Sequence, residues 1–300
     1  MKPDDSPPVD IRNLSRNYGR KAALTDISLQ IPCGSVFGLV GENGAGKTTL
    51  LKHLLGLLRA ESGSVRVFGH DPTLRPVEVL SRIGYLSESR DLPSWMRISE
   101  LLNYLEPFYP SWDSRYAEDL RKQFELDSTA RVKNLSRGQL AKTGLLAALA
   151  HRPELLVLDE PSSGLDPVVR RDILEAIIRT VSQEGRTVIF SSHLLDEVER
   201  VSDQIAFLHG GKLVLLGSLD DIKQRHHRLV LRFDRPLDEP PALRGALSTT
   251  GRGAEWTIIC DGGRPEVEAA ANSMGARVMT EETPTLDEIF VARTKRKDPA

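Results

Sequence analysis

Gly41-Glu42-Asn43-Gly44-Ala45-Gly46-Lys47-Thr48 is the stretch on which the fold turns. It fits G-x-x-x-x-G-K-[ST]. The short apolar run at 36–40 enters it, and the residues after Gly46, KTTLLKHLLGLL, place leucines at helical spacing, so the segment reads as strand, loop, helix. Glycines in such a loop let successive backbone N–H groups turn inward around phosphate oxygens, and the start of the next helix adds partial positive charge. Gly41, Glu42, Asn43, Gly44, Ala45, Gly46, Lys47, Thr48 and Thr49 are therefore expected to bind a nucleoside triphosphate. Lys47 is expected to reach the β- and γ-phosphates, and the Thr48 hydroxyl to ligate Mg²⁺.

Outward from this loop, short apolar runs at 65–68, 83–86, 155–158, 187–191 and 204–208 alternate with longer helical stretches. That alternation predicts an α/β core with a largely parallel sheet. Strand signals fade between residues 87 and 151, where helical patterns at 99–105, 114–124 and 136–150 predict a helical insertion. A hairpin strand is expected at 212–216, between Gly210-Gly211 and Gly217, and a short polar helix at 219–226. The ATPase domain is thus placed at 9–227, behind an acidic, proline-rich and flexible N-terminus at 1–8. Residues 228–300 are expected to form a small α+β accessory domain, with strands at 229–233, 256–259 and 276–280 and helices at 265–274 and 285–292. No internal repeat is visible.

Composition narrows the function classes. A hydrophobic content of 40% and a charged content of 27% fit a globular chain, and a net charge of −2 does not favour nucleic acid as a partner. Cys33 and Cys260 show no CxxC spacing, which argues against a zinc site and fits a reducing compartment. The N-terminus has no secretory pattern, and the apolar runs at 145–150 and 155–158 fall short of the roughly 20 residues needed to cross a bilayer. Any membrane role is expected to be peripheral.

A second chemical signal is Leu155-Leu156-Val157-Leu158-Asp159-Glu160, four apolar residues ending in two acids. It has the look of a buried parallel strand whose tip faces a ligand crevice. Asp159 is expected to hold Mg²⁺ through water, and Glu160 to orient and deprotonate the attacking water. The plainer alternative is a strand ended by a solvated acidic turn.

With Leu135-Ser136-Arg137-Gly138-Gln139 a helix's length before that strand, the chain resembles the ATP-binding cassette (ABC) ATPases over residues 9–216. The likeness points to the bacterial exporter-like, multidrug and antibiotic-type branch. The pentapeptide looks like the family's LSGGQ signature, with Arg137 in place of the second glycine. Ser136 and Gly138 stand where a helix begins, so a hydroxyl and free N–H groups can meet an anion presented from outside. The resemblance implies that Ser136, Arg137, Gly138 and Gln139 meet the γ-phosphate of ATP bound to a second subunit.

It also implies that Tyr18 stacks on adenine, that Asp166 in Ser163-Gly164-Leu165-Asp166 belongs to an interface loop, and that His193 is the switch histidine fixing Glu160 and the water. Glu88 takes the place of a frequent glutamine that touches Mg²⁺ and water; glutamate also occurs there in the exporter-like branch.

Trp95, Tyr104, Phe108, Tyr109 and Trp112 gather in the helical insertion, where family transporters dock the permease. Core packing explains them as well. The basic tail at 293–297 reads as a solvated end.

The expected function is the ATP-binding and ATP-hydrolysing subunit of a transporter on the cytoplasmic face of the membrane, using ATP and Mg²⁺. It would work with a separate permease and a second ATPase subunit, in a homodimer or heterodimer, with export as the expected direction. The alternative is a cytosolic mechanical ATPase of the same superfamily acting on ribosomes or DNA. An unrelated phosphate-loop kinase or GTPase is disfavoured by the signature pentapeptide and His193.

Overall fold

The computed structural model describes residues 7–182 and 185–294. The flexible segment expected at 1–8 lies outside the described residues except for its last two positions, and the basic tail does so from 295 onward. The chain divides into two compact units, Met1–Leu216 and Gly217–Ala300.

In the first unit, β1 (Val9–Tyr18) pairs antiparallel with β2 (Lys21–Ile31) and with β4 (Ser62–Val67), giving a three-stranded sheet of order β2-β1-β4. The run read at 65–68 therefore lies outside the parallel sheet. β1 was not legible as a strand because its alternation is broken: the register shifts between Ile11 and Leu14, and Asn13 adopts φ 49°. Val9, Ile11 and Leu14 all still reach the core, since a bulge moves the buried set by one residue.

The second sheet has six strands in the order β5-β6-β7-β3-β8-β9. These are β3 (Val36–Val40), β5 (Ile83–Leu86), β6 (Leu155–Asp159), β7 (Thr187–Ser192), β8 (Gln204–His209) and β9 (Lys212–Ser218). The pairs β5·β6, β6·β7, β7·β3 and β3·β8 are parallel, as the alternating pattern predicts. Every residue of β3 and β6 is buried, which explains why both read as unbroken apolar runs. Each such Val or Leu contributes about 1.5–3 kcal/mol by leaving water.

Helices α1 (Lys47–Leu54), α2 (Pro76–Leu80), α6 (Pro167–Ser182) and α7 (Leu195–Val201) accompany these sheets. The predicted insertion is present as α3 (Ile98–Leu105), α4 (Ser114–Gln123) and α5 (Arg137–Leu149). α5 packs on β5, and beyond its C-terminus the buried His151 sets Nε2 3.1 Å from Ile83 O and stacks on Tyr109. Tyr109 is thus engaged in packing, while Trp95, Tyr104 and Phe108 are exposed.

The second unit contains α8 (Leu219–Arg225), β10 (His226–Leu237), β11 (Ala246–Asp261), α9 (Arg264–Ser273), β12 (Ala276–Glu282) and α10 (Leu286–Thr294). Its antiparallel sheet, of order β11-β10-β12, buries Leu229, Leu231, Phe233, Trp256 and Ile258 with Val267 and Ala271 of α9. The division falls after Leu216, whereas the sequence places it after 227, because α8 packs on β10 and goes with the second unit.

Candidate functional site

β3 ends at the glycine-rich loop, and the loop ends at α1. Gly46 occupies the N-cap of α1 at φ 111° and ψ 0°, a region that L side chains rarely adopt. Gly41 is required for another reason: a Cβ there would lie 2.3 Å from Leu208 O. Together they bend the chain so that Lys47 points back across the loop, its Nζ donating to Gly41 O at 2.6 Å and lying 3.3 Å from Glu42 O.

Lys47 also meets the acidic strand. Its Nζ lies 3.0 Å from Oε1 of Glu160, both side chains being almost fully buried. That contact is an ion pair without hydrogen-bond geometry, and it leaves Oε1 with an unused acceptor. The other oxygen, Oε2, lies 2.7 Å from Nδ1 of His193; the carboxylate accepts, so Nδ1 carries the hydrogen. Glu160 adopts φ 48°, an uncommon backbone state for a non-glycine residue. Its N–H donates to Ser191 Oγ at 2.9 Å, and that hydroxyl donates to Asp159 Oδ1 at 2.7 Å. The tips of β6 and β7 are thereby locked beside the loop that follows β3, where parallel α/β sheets place their ligands.

A cleft of about 350 Å³ opens over these groups. Of the residues read from the sequence, Tyr18, Glu42, Asn43, Gly44, Gly46, Lys47, Thr48, Thr49, Glu88 and Glu160 line it. Gly41 and Ala45 support the loop from behind, and both are buried. Asp159, 1% exposed, sits below the wall, and His193 joins through Glu160. Burial pushes the Tyr85 phenol up to about 12, and the charges of Asp159 and Glu88 add to the shift. Lys21 and Ala23 also line the cleft and were missed. They sit at the start of β2, a strand whose broken alternation hid it.

The signature residues are elsewhere. Ser136 caps α5, accepting from Gln139 N at 3.2 Å, while Gln139 Oε1 accepts from Ser136 N at 3.0 Å, a closed capping box. Ser136, Arg137 and Gln139 are exposed and Gly138 is buried, and none of the four lines the cleft. Asp166 accepts from Val168 N and Val169 N at 3.0 and 3.1 Å, which caps α6, and it too stands away from the cleft.

The buried loop lysine, the paired acids and the parallel sheet define a phosphate-loop ATPase with a helical insertion. Comparison with known proteins makes this specific. A family model described as "ABC transporter" matches residues 24–163. The "Uncharacterized ABC transporter ATP-binding protein YhaQ" of Bacillus subtilis is 32% identical over 95% of this chain and 98% of its own length. The "Bacitracin transport ATP-binding protein BcrA" of Enterococcus faecalis is 32% identical over 73% of this chain and 72% of its own. Among solved structures, one titled "Structure of ATP binding subunit of ABC transporter" is 27% identical with a TM-score of 0.67, covering 72% of this chain and 92% of its own.

The chain belongs to the ABC transporter ATP-binding proteins. It is the ATP-binding, ATP-hydrolysing subunit of a transporter, and subunits of this family work with separate transmembrane components. The alternative of a mechanical ATPase acting on ribosomes or DNA is not favoured. Among the described residues no helix is long and apolar enough to cross a membrane.

Proposed function

We propose that the chain hydrolyses ATP in a site shared between two copies, peripheral to the cytoplasmic face of the membrane, and that the work drives export through a separate permease. The observation that carries this reading is Glu160, held in the cleft wall by Lys47 at 3.0 Å and His193 at 2.7 Å. Its unused Oε1 acceptor suits a water to be oriented and deprotonated. His193 holds the opposite oxygen and so fixes the plane of the carboxylate.

In this reading the N–H groups of residues 41–49 and the Lys47 ammonium cradle the phosphates. Tyr18, 48% exposed at the cleft, offers its face to adenine. Thr48, Glu88 and Asp159 are an all-oxygen set that suits Mg²⁺, and the two carboxylates supply the negative charge such a cation needs. Bound there, Mg²⁺ would neutralise charge on the phosphates.

Sharing between copies is supported by the signature residues. Ser136, Arg137 and Gln139 face solvent with a helix N-terminus behind them, so they are available to phosphates presented by a partner. Arg137 adds a cation to that surface. Export is supported by Glu88, shared with the exporter-like branch, and by the likeness to a protein named for bacitracin transport. The test is hydrolysis and ATP binding measured side by side for Glu160→Gln: turnover should collapse while binding persists. Near wild-type turnover would remove Glu160 from its role.

A further inference from the structure

The three residues that follow Glu160 are gripped from two sides by charged groups that the reading above leaves without a task. Arg90 lies two residues past Glu88 and is 9% exposed. Its Nη2 donates to Pro161 O at 3.0 Å and to Ser163 O at 2.8 Å. From the other side the Ser162 hydroxyl donates to Oε2 of Glu197 at 2.6 Å, and Ser192, the neighbour of His193, places its hydroxyl 3.3 Å from the same oxygen. Glu197 is 1% exposed, and burial raises its carboxyl above the ordinary range, opposed by these hydroxyls and by Arg170.

These are costly groups to bury. Arg90 is held by carbonyls, and among the described residues no carboxylate lies within ion-pair distance of it. A buried guanidinium without a carboxylate loses hydration that carbonyls restore only in part. The Arg90 backbone is itself at φ 51°, close to the φ of 48° at Glu160. Backbone states of this kind persist only where the surroundings over-determine them. Around Glu160 the determinants are Ser191 on its N–H, Arg90 on the Pro161 carbonyl and Glu197 on the Ser162 hydroxyl.

We propose that Arg90 and Glu197 are positioning residues that clamp residues 161–163 and so hold the Glu160 carboxylate between Lys47 and His193. The clamp joins the loops carrying Glu88 and His193 to the backbone of the base. Neither residue touches the cleft, so each acts through Glu160. Their role rests on Glu160 being the base.

The test is steady-state hydrolysis of Mg·ATP by the full-length chain, with thermal unfolding followed in parallel. Displacing a catalytic group by about 1 Å costs up to about 10²-fold. Arg90→Ala should therefore lower kcat by about tenfold or more, with KM for ATP changed by less than about twofold. Arg90→Lys, which can still donate to both carbonyls, should recover most of the rate, and it carries the test if the alanine variant does not unfold cooperatively. Glu197→Gln keeps an acceptor for Ser162 and should lose less than Glu197→Ala.

In a Glu160→Gln background, Arg90→Ala should add no further loss, because the group it positions is already gone. Wild-type kcat in Arg90→Ala, or the same fold-loss with and without Glu160, overturns the clamp. If Glu160→Gln itself turns over normally, the assignment of the base has failed. If Glu160→Gln is slow and Arg90→Ala is not, only the clamp has.

Discussion

The phosphate-loop side and the signature side of this molecule are built on opposite plans. Lys47, Asp159 and Glu160 are almost fully buried: Lys47 donates to Gly41 O and pairs with Glu160, Ser191 donates to Asp159, and His193 holds one oxygen of Glu160 while the other keeps an unused acceptor. Ser136 and Gln139 are exposed, and their side chains accept from each other's backbone N–H, which closes the first turn of the helix. On the function proposed above, the difference teaches how a shared site is divided: the half that would perform proton transfer is preassembled among buried groups, while the half that would meet a partner's ligand stands on the surface. α5 connects the two: its first turn carries the signature, and His151 beyond its last turn fastens it to β5, the strand that leads to Glu88.

The largest test of this contrast is Glu160→Gln. Loss of the general base should cut turnover by roughly 10²–10⁴-fold with ATP affinity preserved, measured by phosphate release and nucleotide titration. Retained turnover would erase the distinction between the two halves.

The joint between them is tested by pH. Burial holds the His151 imidazole down at about 4 against an ordinary 6.5, so the folded state resists protonation that the unfolded chain accepts. The His151 contribution is fully present above pH 6.5 and is lost as pH falls from 6.5 to about 4. At about 1.4 kcal/mol per pH unit, the full loss is roughly 3 kcal/mol. Denaturant unfolding of wild type and His151→Gln across that window should show a flatter pH dependence in the variant. Equal slopes would mean that His151 is not the group titrating.

Next in size, Lys47→Ala should weaken ATP binding by about 10- to 100-fold, the range for losing a charged hydrogen-bond donor. Unchanged affinity by calorimetry would place the phosphates elsewhere. The smallest effect belongs to the exposed half. Ser136→Ala should cost about 1 kcal/mol of stability as a lost helix cap and leave ATP binding by the monomer untouched. It should also weaken ATP-dependent dimerisation in a Glu160→Gln background, followed by light scattering. Dimerisation at wild-type strength would reduce Ser136 to a cap.

Legibility followed the range of the interactions. The loop at 41–48 and the strand 155–159 could be read because local rules govern them: glycines where the backbone must turn sharply, and apolar runs where a parallel strand is buried on both faces. β1 and β2 could not, because bulges at Asn13 and Asp26, both at positive φ, interrupt the period of two. Arg90 and Glu197 carried no motif at all. Their partners lie 71, 73 and 35 positions away, and such meetings leave no mark in local spacing.

The sequence alone determined that a triphosphate loop, an acidic strand and a signature helix coexist in one chain, because each is a contiguous segment with its own local chemistry. Only the tertiary structure decided that Lys47 and His193 grip the two oxygens of Glu160, that Arg90 and Glu197 hold the backbone after it, and that Ser136 faces away. Strand order sets those distances, and strand order comes from packing whole elements against one another, which spacing along the chain does not encode.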